Sequence, residues 1–148
     1  MHPVLATYTR YLHENIPLTK AMGITVSFYD GRRAVLRAPF NPNINHRHTI
    51  FGGSIANIGI LAGWFVLHER LGQEKCNARL VIQKSMVDYL LPGTGDFFAE
   101  CRLEDKDFAS MLHALQRRGK GRITVTAHII TGNTVIATHQ GIYVALSL

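Results

Sequence analysis

The sequence predicts an α+β domain in which an antiparallel β-sheet wraps one long apolar helix. Three observations carry this. No residue between Ile55 and Leu67 is charged, and a helix that is apolar all round is normally enclosed by protein. β-Rich runs follow it, namely "ARLVIQKSMVDYLL", "GDFFAECRL", "GRITVTAHIIT" and "TVIATHQGIYVALS". Asp30-Gly31 and Gly132-Asn133 each stand between two such runs, which is the strongest short-range signal for a hairpin.

Leu5, Tyr8, Tyr11 and Leu12 recur at helical spacing, so an N-terminal helical segment is expected within residues 1–22. Pro17 restarts the chain, and "LTKAMG" reads as a further turn closed by Gly23. "ITVSFYDGRRAVLRAPF" is the first hairpin, and Pro39 and Pro42 end it. The polar stretch "NINHRHT" then leads into Gly52-Gly53. A central helix is expected over residues 53–71, with Ser54 as N-cap and Gly72 as the C′ stop. Gly59 and Gly63 are four apart and share a face, where they let another backbone come close. "DFASMLHALQ" fits a short helix or an irregular strand.

At 148 residues the chain makes a single domain, 1–148, long enough to bury roughly 70% of its unfolded surface. The formal charge of +6 favours acidic partners such as nucleic acid, anionic lipid or a phosphate-bearing ligand. Cys76 and Cys101 are the only cysteines and lie in no CxxC, which reads as two reduced thiols in the cytoplasm. The N-terminus lacks the pattern of a signal peptide. The apolar run Ile50–Leu67 carries Ser54 and Asn57 and falls short of a membrane span. His46 and His48 have no Cys, Asp or HExxH spacing around them, so no metal is expected. No GxxxxGK[ST] or GxGxxG is present.

Three segments, "NHRHTIFGGSIANIGILAGW", "VDYLLPGTGDFFAEC" and "RRGKGRITVTAHI", resemble the hotdog-fold thioesterases. Within them the chain is most similar to the thioesterase family first described as the C-terminal domain of the bacterial protein YiiD. The resemblance spans nearly the whole chain. It implies a hotdog fold, hydrolysis of an acyl-CoA or acyl-ACP thioester, coenzyme A as part of the substrate with no other cofactor, and a homodimer or higher homo-oligomer. Asn45 falls on the family's loop Asn, Thr49 on its Thr, and Gly52-Gly53 on its Gly-Gly. His48 falls where many relatives have Gly. Ile60 departs from the pattern: many hotdog thioesterases carry an Asp or Glu near this point of the helix as base or nucleophile.

The candidate chemistry follows. The first amides of a helix are unpaired and sit at the positive end of its dipole, so Gly52, Gly53 and Ser54 are candidates for an oxyanion hole. Asn45 is a candidate to hold water or the thioester oxygen, or else to cap its own loop. His48, with His46 beside it, is a candidate general base or a surface histidine. Asn57 is the only amide or ionisable side chain between Ile55 and Leu67, and serves the site or pairs in the core. Asp88, with Ser85 nearby, is a candidate to supply a carboxylate across a dimer interface. Arg117, Arg118, Lys120 and Arg122 place four positive charges in six residues. The resemblance assigns them to coenzyme A phosphates. The competing functions are a non-catalytic acyl-CoA-binding protein and a basic nucleic-acid-binding domain; the second lacks the interleaved aromatics such sites use.

Overall fold

The computed structural model describes residues 3–148, so Met1 and His2 of the segment expected over 1–22 lie outside the described residues. That segment is two helices, α1 (Pro3–Asn15) and α2 (Pro17–Met22). Pro17 opens α2, where its missing N–H is not needed. Gly23 closes it in the left-handed region, φ 74°, its N–H donating to the Lys20 carbonyl at 3.0 Å. Strands β1 (Thr25–Tyr29) and β2 (Arg33–Ala38) form the first hairpin. The Asp30 carboxylate accepts the N–H groups of Arg32 (3.0 Å) and Arg33 (2.8 Å). These bonds hold its carboxyl below the usual range.

The central helix α3 runs Gly52–Gln73, longer at both ends than expected. Phe51, extended at φ −61° and ψ 132°, is the N-cap and makes no side-chain capping hydrogen bond. Ser54 is therefore not the N-cap; it is a buried residue of the first turn. The Phe51 N–H donates to the Asn43 carbonyl at 2.7 Å, which fixes where the helix begins. Gly72 is likewise not the stop. The helix continues through it, and the left-handed residue is Lys75, φ 54°.

Strands β3 (Ala78–Tyr89), β4 (Phe97–Arg102), β5 (Lys120–Thr131) and β6 (Thr134–Ser147) complete a six-stranded antiparallel sheet, ordered β1-β2-β4-β5-β6-β3. "DFASMLHALQ" folds as helix α4 (Asp105–Arg118). Phe108, Met111 and Leu115 bury one face of it, and Arg117 and Arg118 in the last turn suit the helix dipole. The β5–β6 turn is the expected two-residue loop: Thr131 pairs with Thr134 and Gly132 has φ 62°.

The sheet curls around α3, burying Ile55, Ile58, Leu61, Phe65 and Val66 against inward residues of β2, β4, β5 and β6. Gly59 and Gly63 admit side chains rather than the expected backbone. A Cβ on Gly59 would lie 2.6 Å from the His139 Cβ, and one on Gly63 2.3 Å from the Tyr143 hydroxyl oxygen. That hydroxyl donates to the Ile60 carbonyl at 2.8 Å. Cys76 and Cys101 are free thiols; burial pushes Cys101 up to about 12. No described helix is long and apolar enough to cross a membrane.

The two sheet edges differ. α1 packs on β1. No residue of β3 is fully buried, and Met86, Tyr89, Leu90, Leu91 and the neighbouring Phe51 are all exposed by about half.

Candidate functional site at the start of the central helix

The loop before α3 is built by two asparagines. Asn43 is buried, and its side-chain amide donates to the carbonyls of Met22 (2.9 Å) and Pro39 (2.8 Å). Asn45 closes residues 45–49 on themselves. Its oxygen accepts the N–H groups of Arg47 (2.9 Å) and Thr49 (3.1 Å), and its nitrogen donates to the Thr49 hydroxyl (2.8 Å). The Asn45 side chain therefore staples the loop in this conformation. His48 is exposed with φ 60°, a backbone state that glycine adopts without strain. His46 is exposed too.

The Phe51 N–H serves Asn43, and the Ser54 N–H donates to the Phe51 carbonyl at 3.0 Å. The Gly52 and Gly53 amides remain without a partner among the described residues. Ser54 is thereby removed from the free donors. The Gly52 carbonyl accepts the Tyr89 hydroxyl at 2.9 Å, tying the helix start to the end of β3.

From Gly53 a partly exposed stripe runs along α3 through Asn57, Ile60 and Trp64 to His68. The Asn57 amide has no hydrogen-bond partner among the described residues and reaches solvent. Beside this stripe lies β3. Tyr89 bonds α3 and Val87 packs on the core, so Asp88, between them, points to the other side of its own sheet.

Ser85 shares the inward side and lies 2.8 Å from Nε2 of His139. His139 is fully buried, and its Nδ1 has no partner among the described residues. Burial lowers its pKa to about 4, so the ring is neutral at pH 7.

The basic cluster is elsewhere. Arg117 and Arg118 end α4, while Lys120 and Arg122 open β5. Arg118, Lys120 and Arg122 line a surface pocket of about 500 Å³ with Ser110 and Ala114. Lys120 pairs with Leu146, whereas Tyr89 pairs with Ala137 and so stands level with Ile129. Along β5 that puts the cluster about 20–30 Å from the helix start in the same chain.

Residues 5–147 match the family described as "Putative thioesterase (yiiD_Cterm)". The chain belongs to this family. Solved structures agree across its whole length. A putative thioesterase from Shewanella oneidensis is 27% identical, with 99% of each chain covered and a TM-score of 0.87. A protein of unknown function from Chlorobaculum tepidum TLS is 26% identical, with 98% of this chain and 95% of that one covered and a TM-score of 0.90. The PaaI protein of the phenylacetic acid degradation operon of E. coli, 16% identical, covers 97% of this chain and 93% of its own at a TM-score of 0.69 and shares the fold. The protein is thus a thioesterase-like member of the hotdog fold.

In this YiiD-type chain the sequence reading missed His139, Tyr143 and the contact of Tyr89. A signal was present for the first two. In "ATHQGIYVA", strand alternation puts Ala137, His139, Gly141 and Tyr143 on one face, and that face is inward. A histidine there needs a partner and room. Ser85 supplies the partner, and Gly59 the room.

Proposed function

We propose that the protein is a cytoplasmic hydrolase of an acyl-CoA or acyl-ACP thioester, acting as a homodimer. The observation that carries this is the pair of unpartnered amides, Gly52 and Gly53, at the positive end of a long buried helix. They can take up the charge that develops on a thioester oxygen, and one such donor is worth about 3–4 kcal/mol to a transition state. With Ile60 in place of a carboxylate, α3 offers no base of its own there; Asn45 holds the loop in shape through Arg47 and Thr49, the exposed His48 stands beside it, and Asn57 lines the groove. Family membership supports the same chemistry.

The bare β3 edge and its exposed apolar residues support the homodimer, because a long unpaired strand is a template for another. Antiparallel pairing of two β3 strands turns the Lys120 end of one sheet toward the Tyr89 end of the other. Arg117, Arg118, Lys120 and Arg122 of one copy then bind the coenzyme A phosphates of a ligand whose thioester sits at the other copy's helix start. Asp88 faces the other side of the sheet, and a continuous sheet through β3 keeps it on that outer face in both copies.

A non-catalytic acyl-CoA-binding protein is the second reading, favoured by the absence of any carboxylate in α3 before Glu69. Thiol release from acyl-CoAs of short to long chain separates the two. Saturable hydrolysis supports the enzyme. Binding of the same thioesters without hydrolysis supports the binder, and neither result sinks both.

A further inference from the structure

We propose that Ser85 is the nucleophile of this enzyme and His139 its general base, the pair replacing the carboxylate that α3 lacks. The proposal rests on the thioesterase reading and names the reacting group within it.

Four observations meet at this pair. Ser85 Oγ and His139 Nε2 are 2.8 Å apart, the reach of a nucleophile and its base. Ser85 lies on the edge strand and is exposed in the single chain, on the seam where a second copy's site would meet it, whereas His139 is fully buried. Room for the ring depends on Gly59, where a Cβ would lie 2.7 Å from the His139 Cγ; a Cβ on Gly141 would crowd the Tyr143 ring first, at 2.6 Å, and the His139 Cε1 at 3.0 Å. A glycine in mid-helix is less favourable than alanine. The buried Nδ1 without a partner is a further cost that packing does not explain. Local rules broken together in this way mark functional sites.

The pair also sits at the right level. His139 packs on Gly59, next to Ile60, the position left without a carboxylate. Within one chain it stands about seven helix residues, roughly 10 Å, from Gly52. A second copy removes that separation. Exposed apolar residues run along the edge from Val81 through Met86 and Tyr89 to Leu90 and Leu91 just beyond the strand, most of them toward the Tyr89 end, while Arg79 stands near the start of β3 and Gln83 and Lys84 at its middle. An antiparallel pairing of two β3 strands that buries the apolar end is centred near Val87. That register sets Ser85 opposite Tyr89 of the second copy, which is bonded to its own Gly52. The nucleophile of one copy thus meets the free amides of the other.

The step balances without a further reactant. Ser85 Oγ attacks the thioester carbonyl carbon and its proton passes to His139 Nε2. The C–S bond breaks, the sulfur leaves with that proton as a free thiol, and an acyl ester remains on Ser85. Water attacks the ester and gives its proton to Nε2. Oγ leaves, regains the proton, and a carboxylic acid is released.

The pH profile bears on this base. The ring lies against Gly59, Gly141 and Ser85, its residue pairs with Val87 and Ala127 in the sheet, and Tyr143 follows on the same face. None of these is charged, and Tyr143 is held protonated by its burial. With His139 lowered to about 4 by burial, hydrolysis stays level from pH 8 to about pH 5.

The experiment treats wild type, Ser85→Ala and His139→Gln with diisopropyl fluorophosphate. It maps the labelled peptide, then repeats the mapping after mixing with an acyl-CoA and quenching in acid. Ser85→Ala removes one hydroxyl, and its melting temperature is measured beside wild type to show that it folds. The expected result is a phosphoryl and an acyl group on Ser85 in wild type, no label in Ser85→Ala, and slower labelling in His139→Gln. Hydrolysis by Ser85→Ala should fall about 100-fold or more. A label on another residue, or neither adduct in wild type, overturns the proposal even if Ser85→Ala is slow. Hydrolysis by Ser85→Ala at the wild-type rate leaves the thioesterase reading standing and removes the pair. Labelling of Ser85 that depends on His139, in a protein that turns over no thioester, keeps the pair and removes the thioesterase reading.

Discussion

The central helix carries two kinds of glycine, and they do opposite things. At its start, Gly52 and Gly53 keep their amides unpartnered, and a Cβ on Gly52 would make only ordinary contact, 3.4 Å from the Tyr89 ring. In its middle, Gly59 and Gly63 are filled spaces, occupied by the rings of His139 and Tyr143. Gly52 leaves backbone open to a ligand, while the exposed Phe51 ring lies over Gly53. The second pair lets a buried imidazole and a buried phenol reach α3. A glycine motif on a helix therefore states a need for room, and only the neighbours say for what.

The contrast can be broken by substitution and by pH, and the expected effects fall in order. Gly63→Ala should destabilise most, by about 3 kcal/mol, since the new methyl meets a hydroxyl that is itself hydrogen-bonded. Chemical denaturation reads this directly; an unchanged midpoint would mean the space is not filled. Acid comes next. His139 has a folded pKa lowered to about 4, below the roughly 6.5 of the unfolded chain. Its contribution is fully present above pH 6.5 and is lost as pH falls toward 4. The loss is up to about 3 kcal/mol, reduced where acidification also relieves other strain. Melting temperature against pH in wild type and His139→Gln should show that slope in the first and not in the second. Tyr143→Phe should cost about 1–2 kcal/mol, the loss of one buried hydrogen bond to the Ile60 carbonyl. Gly52→Ala should change stability least, by under 1 kcal/mol in either direction. A large loss there would erase the distinction between the two ends.

Much of the fold was legible because it rests on local rules. Gly132-Asn133 makes the turn its dipeptide predicts. The uncharged run from Ile55 to Leu67 is an enclosed helix. The helix ends were less legible, because the start is set by a hydrogen bond between the backbones of Phe51 and Asn43, not by the Ser54 side chain. Asn45, Gly52 and Gly53 stood out in sequence through their spacing before the helix. The pairing of Ser85 with His139 did not. It depends on the register of β3 against β6, across 54 residues of sequence, and no local pattern encodes that register. The same holds for the basic cluster. Its charge is plain in sequence, but its distance from Gly52 is fixed only by the sheet.

The most direct test uses Gly52→Pro. Proline is favoured at the first position of a helix and removes only the N–H. The preceding Phe51 is already extended, as proline requires. Thiol release from an acyl-CoA should be compared in wild type and Gly52→Pro, with melting temperature measured alongside. The account predicts a folded variant whose kcat/KM is lower by about 100-fold or more. A folded variant that hydrolyses as fast as wild type would contradict the placement of the oxyanion at the start of the central helix.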